Sequence, residues 1–153
     1  MSKEFKVIID TREREPWDFS EEELCTSQEV RKLDTGDYTI EGLEEKLCIE
    51  RKGSLVEFAN NVVQDRFWAE MDRMLSFPLR FLILEFSLPS LLNYPAGLGL
   101  AQRILDKIKI TPSFLLKNIA KLQLQYGVNV IFAGNRYAAE KIALTLFKNV
   151  EKD

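Results

Sequence analysis

Short runs of apolar residues recur along the chain, each bounded by polar or turn-forming residues. The runs at 5–9, 80–86 and 128–132 have the length of buried strands and are too short to span a membrane. Two further patches of β-type residues, at 38–40 and 47–49, flank a polar, glycine-containing tip. That order predicts a strand, a turn and a returning strand, and therefore a β-hairpin.

Apolar residues spaced at intervals of three and four lie between these runs and predict amphipathic helices. The segment 91–94, bracketed by prolines and glycines, is predicted to be a loop. Helices are predicted from Leu55, from Phe67 after a break at 64–66, from Pro112 to about Tyr126, and after Asn135. Alternating strands and helices indicate an α/β fold with a mostly parallel sheet in which the hairpin is antiparallel.

The predicted hairpin carries charged residues at its ends. Side chains alternate faces along a strand, so Glu50 and Lys52 share one surface, about 7 Å apart, while Arg51 points the other way. Asp37 opens the first strand, and antiparallel pairing brings it close to Glu50. Two carboxylates beside a lysine suit a hard metal ion and the hydrolysis of phosphodiesters. The alternative for an isolated Glu-x-Lys is a surface salt bridge of little energetic value.

A second acidic position follows the first predicted strand. The apolar run at 5–9 delivers Asp10 at its C-terminal end, and ligand sites in open sheets gather at such ends. The segments 9–13 (Ile-Asp-Thr-Arg-Glu), 36–37 (Gly-Asp) and 50–52 (Glu-Arg-Lys) together resemble the motifs of the XPF nuclease family. That family's pattern is Val-Asp-x-Arg-Glu, then Gly-Asp, then Glu-Arg-Lys followed by a further Asp. The resemblance covers the chain from Phe5 to about Phe147.

The resemblance implies a restriction-endonuclease-like α/β fold, with a mixed central sheet, a catalytic β-hairpin and flanking helices. It implies a magnesium-dependent DNA endonuclease, with manganese as a possible substitute, acting on branched, flap or fork DNA in repair or recombination. Asp10, Asp37 and Glu50 would form the catalytic, metal-binding acidic cluster, with Asp37 and Glu50 as the main metal ligands and Asp10 as a further one. Lys52 would be the catalytic lysine, with Arg51 of the same motif as a further catalytic residue. Arg12 and Arg66 are the candidate DNA contacts; the alternative for Arg66 is a helix-end arginine in solvent.

The chain departs from the family pattern after Lys52. Val56 stands where the motif has its last Asp, and an acid follows one residue later as Glu57. Ser54 and Glu57 have the spacing of a capping box, in which the serine caps a helix and the glutamate reaches back to a backbone amide. Glu57 is therefore predicted to be a structural residue, and the alternative is that a one-residue slip makes it the motif's last acid.

The composition narrows the chemistry further. The 153 residues contain no histidine, which removes histidine general bases, Ser-His and Cys-His pairs and histidine-ligated zinc. Carboxylates, lysine and a metal ion remain for hydrolysis. Cys25 and Cys48 fit no metal-ligand or redox spacing and are predicted to be free thiols. Length and the absence of a signal peptide predict a single intracellular domain, cytoplasmic or, in a eukaryote, nuclear, without membrane contact and without a helix-hairpin-helix or helicase domain.

The net charge of −3 is unusual for a DNA-binding protein, because phosphate contacts favour basic surfaces. The stretch 99–125, however, contains five basic residues and only one acid, and this face could meet a phosphate backbone or be an ordinary solvated surface. The resemblance also implies a homodimer formed through the region 128–147, whose helix could alternatively complete the core. A separate DNA-binding partner is a further possibility. The alternative functions are a non-cleaving DNA-binding module with the nuclease fold and a hydrolase of RNA or nucleotides.

Overall fold

A six-stranded mixed sheet forms the centre of the computed structural model, which describes residues 3–152. The strands lie in the order β2-β1-β3-β4-β5-β6. Neighbouring strands are parallel in the pairs β1/β2, β4/β5 and β5/β6 and antiparallel in β1/β3 and β3/β4. The strands are β1 (Phe5–Ile9), β2 (Cys25–Val30), β3 (Tyr38–Ile40), β4 (Leu47–Lys52), β5 (Leu79–Leu84) and β6 (Asn129–Phe132).

Helices cover both faces of this sheet, and a short 3₁₀ turn, Ala96–Leu98, joins two of them. Side chains of α1, α2, α3 and α5 form one apolar core with Cys48, Leu82 and Leu84. The other core contains side chains of α6, Trp17 and Phe19, together with strand residues that point to the other face of the sheet, such as Ile49 and Ile83. The helices are α1 (Leu55–Asn61), α2 (Asp65–Met74), α3 (Leu88–Leu92), α4 (Gln102–Leu105), α5 (Pro112–Leu124) and α6 (Arg136–Asn149).

The register of the central strands gathers the acidic positions at one end of the sheet. Ile9 of β1 is paired with Tyr38 of β3, and Tyr38 is paired in turn with Ile49 of β4. Each of these three residues adjoins one of the predicted acids, Asp10, Asp37 and Glu50. The predicted hairpin is confirmed, and its pairing explains how acids distant in sequence become neighbours.

The alternation of side chains along β4 decides which core each site residue faces. Cys48 contributes to the core of α1 and α2, whereas Leu47 and Ile49 contribute to that of α6. Because side chains alternate along a strand, Glu50 and Lys52 lie on the α1/α2 side and Arg51 on the opposite side. The predicted separation of Arg51 from its two neighbours is therefore confirmed.

The structure differs from the sequence prediction at several elements, among them the short helix α4, which was not predicted. Strand β2 was not predicted, because its residues are largely polar and exposed at the edge of the sheet. The segment predicted as a loop at 91–94 instead includes the end of helix α3, whose first turn is capped by the Ser87 side chain accepting from the Ser90 N–H. The break before α2 is shorter than predicted, since Gln64 is the N-cap and Arg66 lies in the first helical turn.

Helix α6 buries its apolar face in one of the two cores. Ala139, Ala143, Leu144 and Phe147 are buried in the same core as Trp17. Helix α6 therefore completes the core, and dimerisation through the region 128–147 stays a prediction. Strand β6, in contrast, forms one edge of the sheet.

Two general expectations concern cysteine and membranes. Cys25 and Cys48 are both free thiols, as predicted, Cys48 buried and Cys25 half-buried. Between residues 3 and 152, no helix has the length and apolar character needed to cross a membrane.

Candidate active site

The hairpin holds Asp37 between two strands. Gly36 precedes it with a φ of +81°, and a Cβ at that position would lie 2.5 Å from the Cys48 Sγ, so only glycine fits. The Asp37 N–H donates to the Ile49 carbonyl at 2.8 Å, and the Arg51 N–H donates to the Asp37 Oδ2 at 2.8 Å. Both the backbone and the side chain of Asp37 are therefore fixed against β4.

Glu50 and Lys52 form the second part of the site. Glu50 is only 4% exposed, and its Oε2 lies 3.4 Å from the Lys52 Nζ. Its other oxygen, Oε1, is buried and has no hydrogen-bond partner in the described part of the chain. An unpaired buried carboxylate oxygen is costly, and such an atom is typical of a position that receives a proton or a cation.

Burial and mutual repulsion shift the protonation of these groups. Burial raises the pKa of Asp37 to about 6. Burial, then the charges of Asp37 and Glu70, raise the pKa of Glu50 well above its ordinary value. Burial alone would lower the pKa of Lys52, but the surrounding carboxylates, Glu50 foremost, raise it. Two acids that resist ionisation beside a charged lysine indicate a site whose negative charge is incompletely balanced.

Glu70 was missed by the sequence analysis. It lies half-buried in α2, three residues after Phe67 and four before Met74, both of which are buried. Residues at these spacings share one face of a helix, so Glu70 lies along the stripe that α2 turns to the sheet. Its charge acts on Asp37, Glu50 and Lys52. A glutamate within the apolar stripe of α2 was the sequence signal for this residue.

Asp10 organises the loop after β1. Its carboxylate is fully buried, with Oδ1 accepting from the Leu33 N–H at 2.8 Å and Oδ2 accepting from the Arg12 Nε at 2.6 Å. Burial opposes ionisation, but the hydrogen bonds from Leu33 and Arg12 prevail and lower the pKa of Asp10. The Asp10 N–H also donates to the Asp37 carbonyl at 2.9 Å. Asp10 thus adjoins Asp37, with both of its oxygens engaged by other donors.

The two arginines predicted to contact DNA differ in how they are held. The Arg12 side chain is 66% exposed yet anchored, since its guanidinium contacts both Asp10 and the Leu33 carbonyl. It lines an open, polar cleft together with Arg14 and Arg51. Arg66 is exposed in the first turn of α2, where its Nε donates to the Gln64 Oε1 at 2.8 Å. Both guanidiniums are accessible to a ligand.

Arg51 forms an ion-pair network on the opposite side of β4. Its guanidinium donates to Glu85 Oε2 at 2.8 Å and to Glu13 Oε2 at 2.9 Å. Its Cζ lies 5.1 Å from the centroid of the Trp17 ring, and the Trp17 Nε1 donates to the same Glu85 oxygen at 2.7 Å. Burial works against the charge, but the hydrogen bonds to Glu85 and Glu13 raise the pKa of Arg51. Arg51 therefore joins the loop after β1 to the end of β5.

The start of α1 shows what replaces the last acid of the motif. Ser54 Oγ accepts from the Glu57 N–H at 3.1 Å, and Glu57 Oε1 accepts from the Gly53 N–H at 3.2 Å. The predicted cap at Ser54 is confirmed, although Glu57 reaches the amide one residue earlier than a capping box does. Val56 is exposed at the position of the family Asp. Burial lowers the pKa of Lys52, but Glu50 and then Glu57 raise it, so Glu57 lies within electrostatic reach of the site.

The donor atoms at this end of the sheet fit a hard divalent cation. Carboxylate oxygens are the ligands that magnesium prefers, and the unpaired Glu50 Oε1 is available. Among residues 3–152, no group of three or more acidic or cysteine side chains is already arranged to hold a metal ion. Magnesium commonly binds through one or two carboxylates and keeps several waters, so Asp37 and Glu50 satisfy its requirements.

Comparisons with known proteins agree with this architecture. The chain matches XPF from Aeropyrum pernix with a TM-score of 0.66 and 22% identity, over 93% of this chain and 64% of that one. A structure of XPF from Aeropyrum pernix in complex with DNA matches with a TM-score of 0.70 and 23% identity, over 94% of this chain and 64% of that one. The molecule therefore has the fold of the XPF nucleases.

The family assignment rests on the sequence. The model of the ERCC4 domain matches residues 9–144, and the chain belongs to this family. No curated protein sequence matches the chain. The chain spans about 64% of the length of the two XPF chains that it resembles.

Proposed function

We propose that this protein is a magnesium-dependent DNA endonuclease. The observation that carries the proposal is the convergence of the buried Glu50 carboxyl and the half-buried Asp37 carboxyl on Lys52 at the end of the sheet. This set of groups suits phosphodiester hydrolysis, because oxygen ligands can hold a hard cation while an ammonium group balances negative charge on the phosphate. Membership of the ERCC4 domain family and the fold shared with a DNA-bound XPF support DNA as the substrate.

The roles of the residues follow from their positions. Asp37 and Glu50 would hold the metal ion, and Asp10 would fix the adjoining loop and add to the negative field. A bound magnesium or manganese ion supplies an activated water and neutralises charge on the phosphate. Lys52 would position that water or stabilise the developing charge, while Arg51 keeps the backbone of β4 in place. Arg12 and Arg66 would contact backbone phosphates near the scissile bond.

The function is tested by incubating the protein with flap, fork, Holliday-junction and plain duplex DNA. Cleavage is expected with magnesium or manganese and is expected to stop when EDTA is added. Binding of DNA without cleavage of any substrate under these conditions would instead support a non-cleaving module. Cleavage of RNA in preference to DNA would move the assignment to a different class of hydrolase.

Lys52 and Arg66 should affect different steps. Lys52→Ala is expected to lower kcat by about 100- to 1,000-fold with little change in DNA affinity, because its charge acts mainly on the transition state. Arg66→Ala is expected to weaken DNA binding and to reduce its salt dependence by about one phosphate contact. Salt titrations of DNA binding and single-turnover cleavage separate the two effects.

Arg73→Ala, at the other end of the same helix, is the matched control for Arg66. Arg73→Ala changes the net charge by the same amount as Arg66→Ala but is expected to leave the salt dependence of DNA binding unchanged. An unchanged salt slope for Arg66→Ala would mean that this side chain is only solvated.

We also propose that the protein acts as a homodimer on branched DNA. Strand β6 lies at an edge of the sheet, and such an edge can pair with a second copy. Arg103, Lys107, Lys109 and Lys117 are exposed in the basic stretch 99–125, and a dimer would present two copies of them. A bent or forked substrate could contact both copies at once, which raises effective concentration.

Forks or flaps should therefore be cleaved faster than linear duplex, with the largest discrimination at moderate salt, where weak contacts are lost first. Sedimentation measures the oligomeric state under the same conditions. A monomer that cleaves forks and duplex equally would contradict the preference for branched DNA and leave a general DNA nuclease. A requirement for added protein would point to a separate DNA-binding partner.

A further inference from the structure

Helix α2 carries an acid toward the site from an element that the motifs do not include. Glu70 lies on the helix face of Phe67, and the Lys52 Nζ is 5.8 Å from the centroid of the Phe67 ring. The packing of α2 against the α1/α2 side of the sheet thus brings Glu70 to the same side as Glu50 and Lys52. The position is fixed by the buried Phe67, Met71 and Met74 rather than by a loop.

The buried carboxyl of Glu50 lacks a positive partner for one of its oxygens. Its Oε1 has no donor among the described residues, and the negative charge of Glu70 acts on the same carboxyl. Two ionised carboxylates cannot satisfy each other, because both are acceptors. A cation beside Glu50 Oε1 would supply the missing partner and balance the charge of both acids.

The charge at this point suits a divalent cation. Asp37, Glu50 and Glu70 together carry three negative charges when ionised, and Lys52 contributes one positive charge. Arg12 is already paired with Asp10. The set is therefore left with net negative charge, which favours a divalent cation such as magnesium or manganese.

We propose that Glu70 is a third carboxylate of the cation site, in addition to Asp37 and Glu50. The proposal rests on the proposed function and extends it to a residue outside the motifs. The described side chains do not form a ready-made cage of three ligands, so contact through a retained water suits Glu70. Outer carboxylates of this kind commonly change metal affinity by 10- to 100-fold.

The test uses manganese alone, titrated into the whole protein by calorimetry, with free manganese followed by electron paramagnetic resonance. Glu70→Gln is expected to weaken manganese binding by about 10- to 100-fold without abolishing it. Glu45→Gln, an exposed acid at the tip of the hairpin, removes the same charge and should bind manganese like the wild type. Glu50→Gln should lose binding.

Thermal melting in EDTA separates this role from a structural one. Because Glu70 repels Glu50 in the absence of metal, Glu70→Gln should melt at the same temperature as the wild type or higher, whereas loss of a structural contact would lower it. Wild-type affinity in Glu70→Gln, with binding lost in Glu50→Gln, would overturn the role of Glu70 and leave the proposed function intact. Absence of manganese binding by the wild type would overturn both.

Discussion

Asp37→Asn and Glu50→Gln are each expected to lower the rate of DNA cleavage by at least about 1,000-fold, roughly 4 kcal/mol of transition-state stabilisation. Each change removes a charged ligand from the site and leaves the shape of the side chain almost unchanged. DNA binding should be largely retained, because the phosphate contacts assigned to Arg12 and Arg66 remain. Single-turnover cleavage in magnesium and DNA binding in EDTA measure the two properties separately. Undiminished cleavage by both variants would refute the assignment.

Asp37→Asn, which lowers the cleavage rate, is expected to raise the stability of the metal-free protein. The pKa of Asp37 is about 6 in the folded chain, above its ordinary value of 3.8, mainly because the group is buried. Because the pKa is raised, the folded state binds this proton more tightly than the unfolded state does. The contribution of the Asp37 proton to the free energy of unfolding is therefore full below about pH 4 and is lost as the pH rises through 6. Asp37→Asn lacks the ionisable group, and at pH 7 in EDTA it should melt at a higher temperature than the wild type. The difference should shrink as the pH falls to about 4.

Arg51→Met is expected to destabilise the protein by about 3–5 kcal/mol. The Arg51 side chain is only 10% exposed and pairs with Glu13 and Glu85, so its loss leaves two buried carboxylates without their cation. Its contact with the Trp17 ring would also be lost. Urea denaturation in EDTA measures the change in the free energy of unfolding. This substitution tests the network itself, independently of metal binding and cleavage.

Arg31→Met provides a matched control. Arg31 Nε lies 2.7 Å from Glu29 Oε2, but both side chains are about 40% exposed, and such pairs contribute at most about 1 kcal/mol. Adding Glu13→Gln and Glu85→Gln to Arg51→Met should recover part of the lost stability, since the uncompensated charges are removed. A loss below 1 kcal/mol in Arg51→Met would show that the network contributes little.

Apolar periodicity predicted most elements of the fold because it reflects burial directly. Strands β1 and β6 contribute apolar residues to the two cores. The helices that contain Phe58 and Phe147 place their apolar residues against the sheet. Strand β2 escaped prediction for the same reason, since an edge strand with polar side chains carries no burial pattern. Its hydrogen bonds to β1 depend on backbone atoms, which the sequence pattern does not display.

The chemical character of the site followed from local sequence. Alternation along a strand is enough to put Glu50 and Lys52 on one face and Arg51 on the other, and it requires no knowledge of distant contacts. The absence of histidine confined the chemistry to carboxylates, lysine and metal. The sequence by itself therefore determined the class of fold, the motifs and the type of reaction to be expected.

Only the tertiary structure decided which partners engage each charged residue. Asp10 is engaged by Leu33 and Arg12, Arg51 by Glu13 and Glu85, and these partners come from segments far apart in the chain. Glu70 reaches the site only because α2 packs across the sheet beside β4. Long-range packing places these charges, and burial then shifts their pKa values, because desolvation depends on the surroundings of a group in space and not on its neighbours in sequence.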